Sequence, residues 1–320
     1  MRSHLVLLGL AGCAVLAWSA LTVLPVQAQP SPAYEALTIS ALRARSYGEG
    51  SLRVERTLQV TAAFTRTLIQ FDSDGLRVYG FMNIPRGKGP FPTVIVLHGY
   101  VNPRTYRTPY AYTQPYADAL ARAGFLVVHP DYRGHGRSEG TPEGEDNLFR
   151  VGYAVDVLNL IAHLRKLPQV DANAIGLFGH SMGGGIAQRV ISVDRGVKAV
   201  VLYGSMSGDE RLNVERIRNV FRRVPRLPED DVPGAFWSRI SPISYAAEWQ
   251  AAVELHHGAR DAQVPIAWSR DLHRLLTELG KPSALVEYPE GGHVLQGRDR
   301  DEMMRRAIAF FRRTLAAPAP

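Results

Sequence analysis

Two pentapeptides in the chain, Gly136-Arg-Ser138-Glu-Gly140 and Gly179-His-Ser181-Met-Gly183, have the glycine spacing that lets a serine stand at a sharp turn with its hydroxyl presented. Such a hydroxyl becomes a nucleophile when a neighbouring base takes its proton and an acid orients that base. One turn suffices for one site, and the flanking residues choose between the two. The turn needs a strand that ends at the serine, a helix that starts at once, and small residues two positions to either side. Ser181 has this setting, with Ala174-Ile-Gly-Leu-Phe178 before it and Gly183-Gly-Gly-Ile-Ala-Gln-Arg-Val-Ile191 behind it. The helix N-terminus there also favours developing negative charge. Ser138 has neither flank: the preceding strand-like run ends near Val128, and Thr141-Pro142-Glu143-Gly144 stands where a helix should begin. Ser138 is therefore read as a chance match and Ser181 as the nucleophile.

Two later stretches supply the other groups. His293, in Glu290-Gly291-Gly292-His293, is the candidate base, and Asp261, in His257-Gly258-Ala-Arg-Asp261-Ala-Gln-Val-Pro265, is the candidate acid; each lies just past a strand-like run. An oxyanion hole must complete the set, and the backbone N–H of Met182, next after the nucleophile, is one expected donor. Adjacent His256 and His257 point to opposite faces of a strand, which is poor geometry for a shared metal, so no metal is expected. Nothing matches a P-loop or the dinucleotide glycine fingerprint, and no cofactor is expected.

The elements that must hold these residues alternate along the chain. Thr67–Phe71 and Leu76–Met82 flank Asp74-Gly75, a hairpin signal. Buried-strand runs follow at 93–97, 125–128, 174–178, 198–203, 253–255 and 284–288, with helical patterns between most of them, clearest at Leu148, Val151, Val155, Leu158 and Ala162. An antiparallel hairpin followed by strand–helix units predicts an α/β fold with a mostly parallel sheet covered on both faces. Residues 29–56 are read as a short lead-in and 57–317 as the main domain. From about Met206 to Glu248 no strand is predicted, and this interval is read as an inserted cap over the carboxyl edge of the sheet.

Residues 67–315 resemble the α/β-hydrolase superfamily, and more narrowly the free-standing relatives of the prolyl oligopeptidase catalytic domain and cinnamoyl-type esterases. The resemblance is carried by His98-Gly99-Tyr100, Asp131-Tyr-Arg-Gly-His-Gly-Arg-Ser138, Gly179-His-Ser-Met-Gly-Gly184, Ser241-Pro-Ile-Ser-Tyr245 and the stretches holding Asp261 and His293. It implies the α/β-hydrolase fold and a triad in the chain order Ser181, Asp261, His293. It also implies Tyr100 as the second oxyanion donor, through its amide or its phenol. Asp209, just beyond Tyr203, competes with Asp261, since some members of the superfamily carry the acid on that earlier strand. His98, His135 and His180 fall in motifs that the family uses structurally.

Composition bounds the partners. With 320 residues, 46% hydrophobic and 21% charged, the chain has the proportions of a globular domain with a substantial core. The net charge of +7 is scattered, and the Arg211 to Arg226 arginines read as a solvated helix face, so no nucleic-acid partner is expected. Arg2 followed by an apolar run from Leu5 to Leu24 and then Val26-Gln-Ala28 reads as a signal peptide over 1–28. A lipobox ending at Cys13 and an uncleaved anchor attached to the membrane stand as alternatives, and all three export the domain. Cys13 is the only cysteine, so the exported part has no thiol nucleophile. The expected substrate is a small ester, with a short peptide as the alternative. Tyr106, Tyr110, Phe221, Phe236 and Trp237 are the expected apolar walls of its pocket.

Overall fold

The computed structural model describes residues 32–142, 149–221 and 234–316, with the side chains of residues 32, 33, 220 and 221 left aside. The signal-peptide reading, Cys13, Leu148 and the side chain of Phe221 lie outside the described residues.

Nine strands form one sheet in the order β1-β2-β3-β5-β4-β6-β7-β8-β9. The first three, β1 (Leu52–Val60), β2 (Phe64–Ser73) and β3 (Leu76–Pro85), are antiparallel neighbours, and β3 meets β5 (Leu126–Pro130) antiparallel. From there the sheet is parallel through β4 (Phe91–Leu97), β6 (Val170–His180), β7 (Ala199–Tyr203), β8 (Ala252–Gly258) and β9 (Ser283–Tyr288). The β2–β3 turn is the expected Asp74-Gly75 pair, with φ of 52° and 79°. Two successive positive φ values give the turn whose twist matches a hairpin, and Asp and Gly are residues that tolerate them.

The alternation of side chains assigns each strand to two cores. In β4, Ile95 and Leu97 enter the core on one face while Val94 and Val96 enter the other. The first core is covered by α4 (Val151–Leu164), α5 (Met182–Val193) and α8 (Ile266–Glu278), the second by α3 (Gln114–Arg122) and α9 (Gly297–Leu315). Every predicted strand is present.

One feature departs from the sequence reading. The lead-in expected over 29–56 contains short helices α1 (Pro32–Glu35) and α2 (Ile39–Ala44), and β1 already begins within it at Leu52. β1 is an edge strand with almost all of its residues exposed, Val54 and Val60 among them, so it carries no burial pattern to read. The interval after β7 contains no strand among the described residues; it holds α6 (Glu210–Phe221), α7 (Gly234–Ile240) and a 3₁₀ turn at Pro242–Glu248. Helix α6 is seated by a buried cluster of charges. Glu210 pairs with Arg150 at the start of α4 and with Arg189 of α5, the latter at 2.6 Å, and all three side chains are at most 3% exposed. Arg189 also donates to the carbonyls of Ile240 and Phe149 at 2.9 and 3.1 Å.

Candidate active site

β6 runs directly into Ser181, whose backbone stands at φ 55°, ψ −119°, and α5 begins at the next residue. An L-residue in that conformation is strained by roughly 1–3 kcal/mol and persists because its surroundings fix it. The Ser181 N–H donates to the Tyr203 carbonyl at 2.9 Å, and the Ser181 carbonyl accepts from Gly184 and Met206 at 3.0 Å each. The small residues on either side are needed because the turn is crowded: a Cβ on Gly179 would meet the Gly183 oxygen at 2.5 Å. Ser138, by contrast, lies in a loop, where its Oγ accepts the Tyr79 N–H at 2.9 Å.

The loops after β8 and β9 bring Asp261 and His293 to the same point. The two loops are joined by Ala259 N–H to Tyr288 O at 2.8 Å and Arg260 N–H to Gly291 O at 2.9 Å. His293 Nε2 is 3.0 Å from Ser181 Oγ, and His293 Nδ1 is 2.7 Å from Asp261 Oδ2. Gly204, at the end of β7 with φ 48°, passes so near that a Cβ there would lie 3.4 Å from Asp261 Oδ2 and 3.5 Å from His293 Nδ1. The Asp261 side chain is fully buried. Burial alone would raise its pKa, but hydrogen bonds from His257, His293 and the Val264 N–H outweigh it and hold the carboxyl well below its ordinary range. An ionised acceptor on Nδ1 puts the proton there and leaves Nε2 free to accept from the serine hydroxyl.

His180 holds His293 in place from a neighbouring position. Its Nε2–H donates to the His293 carbonyl at 2.9 Å, and its ring lies 4.7 Å from the His293 ring. Burial drops its pKa to about 3, which keeps it neutral and fit for that single role. Asp209 is elsewhere: its Oδ1 accepts the Arg211 N–H at 2.9 Å at the head of α6.

The turn from β4 passes over Ser181. A Cβ on Gly99 would be 3.0 Å from the Ser181 Cβ, and Tyr100 follows with 69% of its surface exposed. His98 anchors this turn from the interior, tilted against Tyr132 at 4.3 Å and stacked on Tyr106 at 5.1 Å, with its Nδ1 2.7 Å from Gly99 O. Met182 is buried at the first position of α5.

The expected pocket walls do not all reach the site. Tyr106 is 0% exposed and donates its hydroxyl to Asp131 at 2.8 Å, so it is an interior support. Phe236 is 1% exposed in a cluster with Phe149, Val151 and Val214, and Trp237 packs edge-on to Phe149 in the same cluster. Both belong to the packing beneath α6 and α7, because an apolar pair at a helix start is as well suited to a core as to a pocket. Tyr110 stacks on Tyr106 at 4.9 Å and meets Tyr112 edge-on, and Tyr112 in turn stands edge-on over His180 at 5.3 Å. Tyr112 is thus the aromatic that sequence reasoning left out. Only its place two residues after Tyr110 pointed to it. Among the described residues, no group of three or more His, Cys, Asp or Glu is placed to hold a metal ion.

Over 244 residues the chain is 27% identical to a Bacillus subtilis (strain 168) protein named as the uncharacterized peptidase YuxL, covering 72% of this chain and 36% of that one. It is 28% identical over 246 residues to YtmA of the same organism, also named as an uncharacterized peptidase, covering 75% of this chain and 90% of the relative. The chain therefore spans about a third of one relative's length and most of the other's. Acetyl xylan esterase 1 from Thermoanaerobacterium sp. shares the fold with a TM-score of 0.66 at 19% identity, over 88% of this chain and 92% of that one. The family model described as the alpha/beta hydrolase family matches residues 94–319, which include the strand–turn–helix at Ser181 and both loops that meet it. The chain belongs to the alpha/beta hydrolase family.

Proposed function

We propose that this protein is an exported serine hydrolase that cleaves carboxylic esters through an acyl-enzyme on Ser181. The observation that supports it is the unbroken hydrogen-bonded line from Ser181 Oγ through His293 to Asp261. In this reading Ser181 Oγ attacks the ester carbonyl carbon as His293 Nε2 takes its proton, and the carbonyl oxygen becomes an oxyanion. That oxyanion faces the backbone N–H groups of Met182 and Tyr100, each worth about 3–4 kcal/mol. The Tyr100 amide is the preferred donor, because its ring is turned to solvent. Collapse breaks the bond to the alcohol, which leaves with the proton from His293. Water then attacks the acyl-enzyme, its proton passing to His293 and on to Ser181 as the acid departs.

Esters are favoured by the aromatic surface beside the triad, where Tyr112 stands edge-on over His180 and Tyr110 edge-on to Tyr112, a surface that suits a short acyl or aryl group. A peptidase is the second reading, favoured by the names of the two Bacillus relatives. The test compares a natural unactivated ester with aminoacyl and prolyl peptides, after mass spectrometry has located a fluorophosphonate label. Label on Ser181 and faster ester turnover support the proposal. A peptide preferred tenfold or more in kcat/KM, about 1.4 kcal/mol in the barrier, replaces it with the second reading. Export is checked by N-terminal sequencing from the native host: a mature chain starting at Gln29 supports a cleaved signal peptide, one at a lipidated Cys13 the lipobox, and an intact Met1 in the membrane fraction the anchor.

A further inference from the structure

Asp261 is held by a second histidine. His257, on β8, is fully buried, with its Nε2 3.2 Å from Asp261 Oδ2 and 3.1 Å from the Val264 carbonyl. Both neighbours of that nitrogen, an ionised carboxylate and a carbonyl, only accept hydrogen bonds, so Nε2 carries the proton. The other ring nitrogen, Nδ1, is 2.7 Å from Ser269 Oγ on α8. In the neutral ring Nδ1 is an acceptor, and the Ser269 hydroxyl donates to it. The tautomer is thus fixed from both sides.

The carboxylate of Asp261 then has four donors. Oδ1 accepts the N–H groups of Gln263 and Val264 at 2.8 and 2.9 Å, and Oδ2 accepts His293 Nδ1–H at 2.7 Å and, at 3.2 Å, a share of the His257 Nε2–H that also reaches the Val264 carbonyl. We infer that His257 is a positioning residue of the triad: by donating to the same oxygen as His293, it limits how strongly Asp261 stabilises the protonated base. The inference rests on the reading of Ser181, His293 and Asp261 as a triad. Its physical basis is that each added donor makes a carboxylate a weaker acceptor for the rest. A carboxylate relieved of one donor would favour the imidazolium of His293 more, and the base would then be disabled at a higher pH.

Arg216 of α6 donates to the Gln263 and Ala262 carbonyls beside Asp261 at 2.9 and 2.5 Å, and on the loops themselves Arg260 pairs with Glu290. On β9, Glu287 lies opposite His257 in register and is paired with Arg270 of α8 at 2.8 and 2.6 Å. From the elbow comes the neutral ring of His180, and from β7 comes Tyr203, whose hydroxyl burial pushes far up. His256 points to the opposite face, toward Glu254 and Tyr288 at 2.9 Å each. Asp261 is therefore the one carboxylate hydrogen-bonded to either of the two histidines, His257 and His293, among the described residues.

The test follows the rate at which a fluorophosphonate labels Ser181 as a function of pH, a readout that needs the base but no particular substrate. His257→Phe removes the donor while keeping a ring, and the acid limb is expected to move up by about 0.5–1 pH unit. His257→Gln, whose amide can donate to the same oxygen, should return the limb most of the way to the wild-type position. If His257→Phe does not fold, Ser269→Ala, which unlocks the ring without removing it, should show a smaller upward move. A folded His257→Phe with an unmoved limb overturns the inference, as does an unmoved limb in Ser269→Ala when that variant is the only one to fold. Wild-type labelling rates in Asp261→Asn would instead bring down the triad reading itself, so the two failures are distinguishable.

Discussion

The carbonyl oxygen of Leu97, at the end of β4, faces Gly183 in the first turn of α5 so closely that a Cβ on Gly183 would lie 2.2 Å from it. The strand that leads to the Gly99-Tyr100 turn and the helix that starts after Ser181 are therefore in backbone contact. Gly183→Ala must push them apart, and a displacement of about 1 Å at a reacting centre costs on the order of 100-fold in rate. The expected outcome is a loss of that size in kcat/KM and in Ser181 labelling. Gly185→Ala is the control, because its Cβ would meet nothing nearer than Met206 Cβ at 3.4 Å. It should stay within about threefold of wild type, with a small gain from helix propensity.

Two aspartates that follow neighbouring strands should behave differently. Asp261 accepts from His293, and changing it to Asn offers an N–H donor toward Nδ1, which favours the wrong tautomer. In a serine triad that change costs on the order of 10⁴-fold in kcat. Asp209 only caps α6 through the Arg211 N–H, a task asparagine performs as well. Asp209→Asn should keep activity within about threefold, and steady-state kinetics on the two variants checks both statements at once.

What could be read without the structure followed from how local the signals are. The strand–serine–helix context of Ser181 is written in consecutive residues, as is the Asp74-Gly75 hairpin turn with its positive φ values. Strands β4 to β7 were legible because each is buried on both faces over a largely apolar run, whereas β9, at the sheet edge and mostly half-buried or exposed, was legible from Ala284-Leu-Val286 alone. β1 was not, because an exposed edge strand has neither an apolar run nor alternation. The walls of the site were read less well, since Tyr106 and Phe236 are aromatic for reasons of packing, and composition cannot tell a wall from a core. The partnership of His257 with Asp261 was hidden for another reason. It depends on β8 ending where Asp261 folds back onto it, which spacing alone does not specify.

Among the described residues, Glu210 is the carboxylate that pairs with both Arg150 and Arg189, and all three are buried. Burial lowers the pKa of the two arginines to about 10 and about 9, yet both remain charged at neutral pH. Glu210→Ala would leave two buried cations facing each other, and removing one partner of a buried pair typically costs about 3–5 kcal/mol. The expected result is a stability loss of that order in chemical denaturation. Helix α6 should also loosen, seen as faster amide exchange over residues 210–219. Glu210→Gln keeps the shape and two hydrogen-bonding atoms, and should lose less.

Asp131 gives the stability of the fold an unusual pH dependence. Its carboxyl is fully buried, and burial pushes its pKa up to about 7, although the hydroxyls of Thr108 and Tyr106 donate to it and partly oppose the shift. The unfolded value is near 3.9. Between these two values the folded chain binds more protons than the unfolded chain, so the contribution of this group to stability is fully present below about pH 4 and is lost as pH rises through 7. A shift of this size corresponds to about 2–3 kcal/mol lost between pH 5 and pH 8. Asp131→Asn has no proton to lose, so its stability relative to wild type should rise by about that amount over the same interval. Urea denaturation of both proteins at pH 5 and pH 8 measures the difference. An equal wild-type-to-variant gap at the two pH values would show that Asp131 stays ionised in the fold throughout, with Thr108 and Tyr106 sufficient to hold the charge.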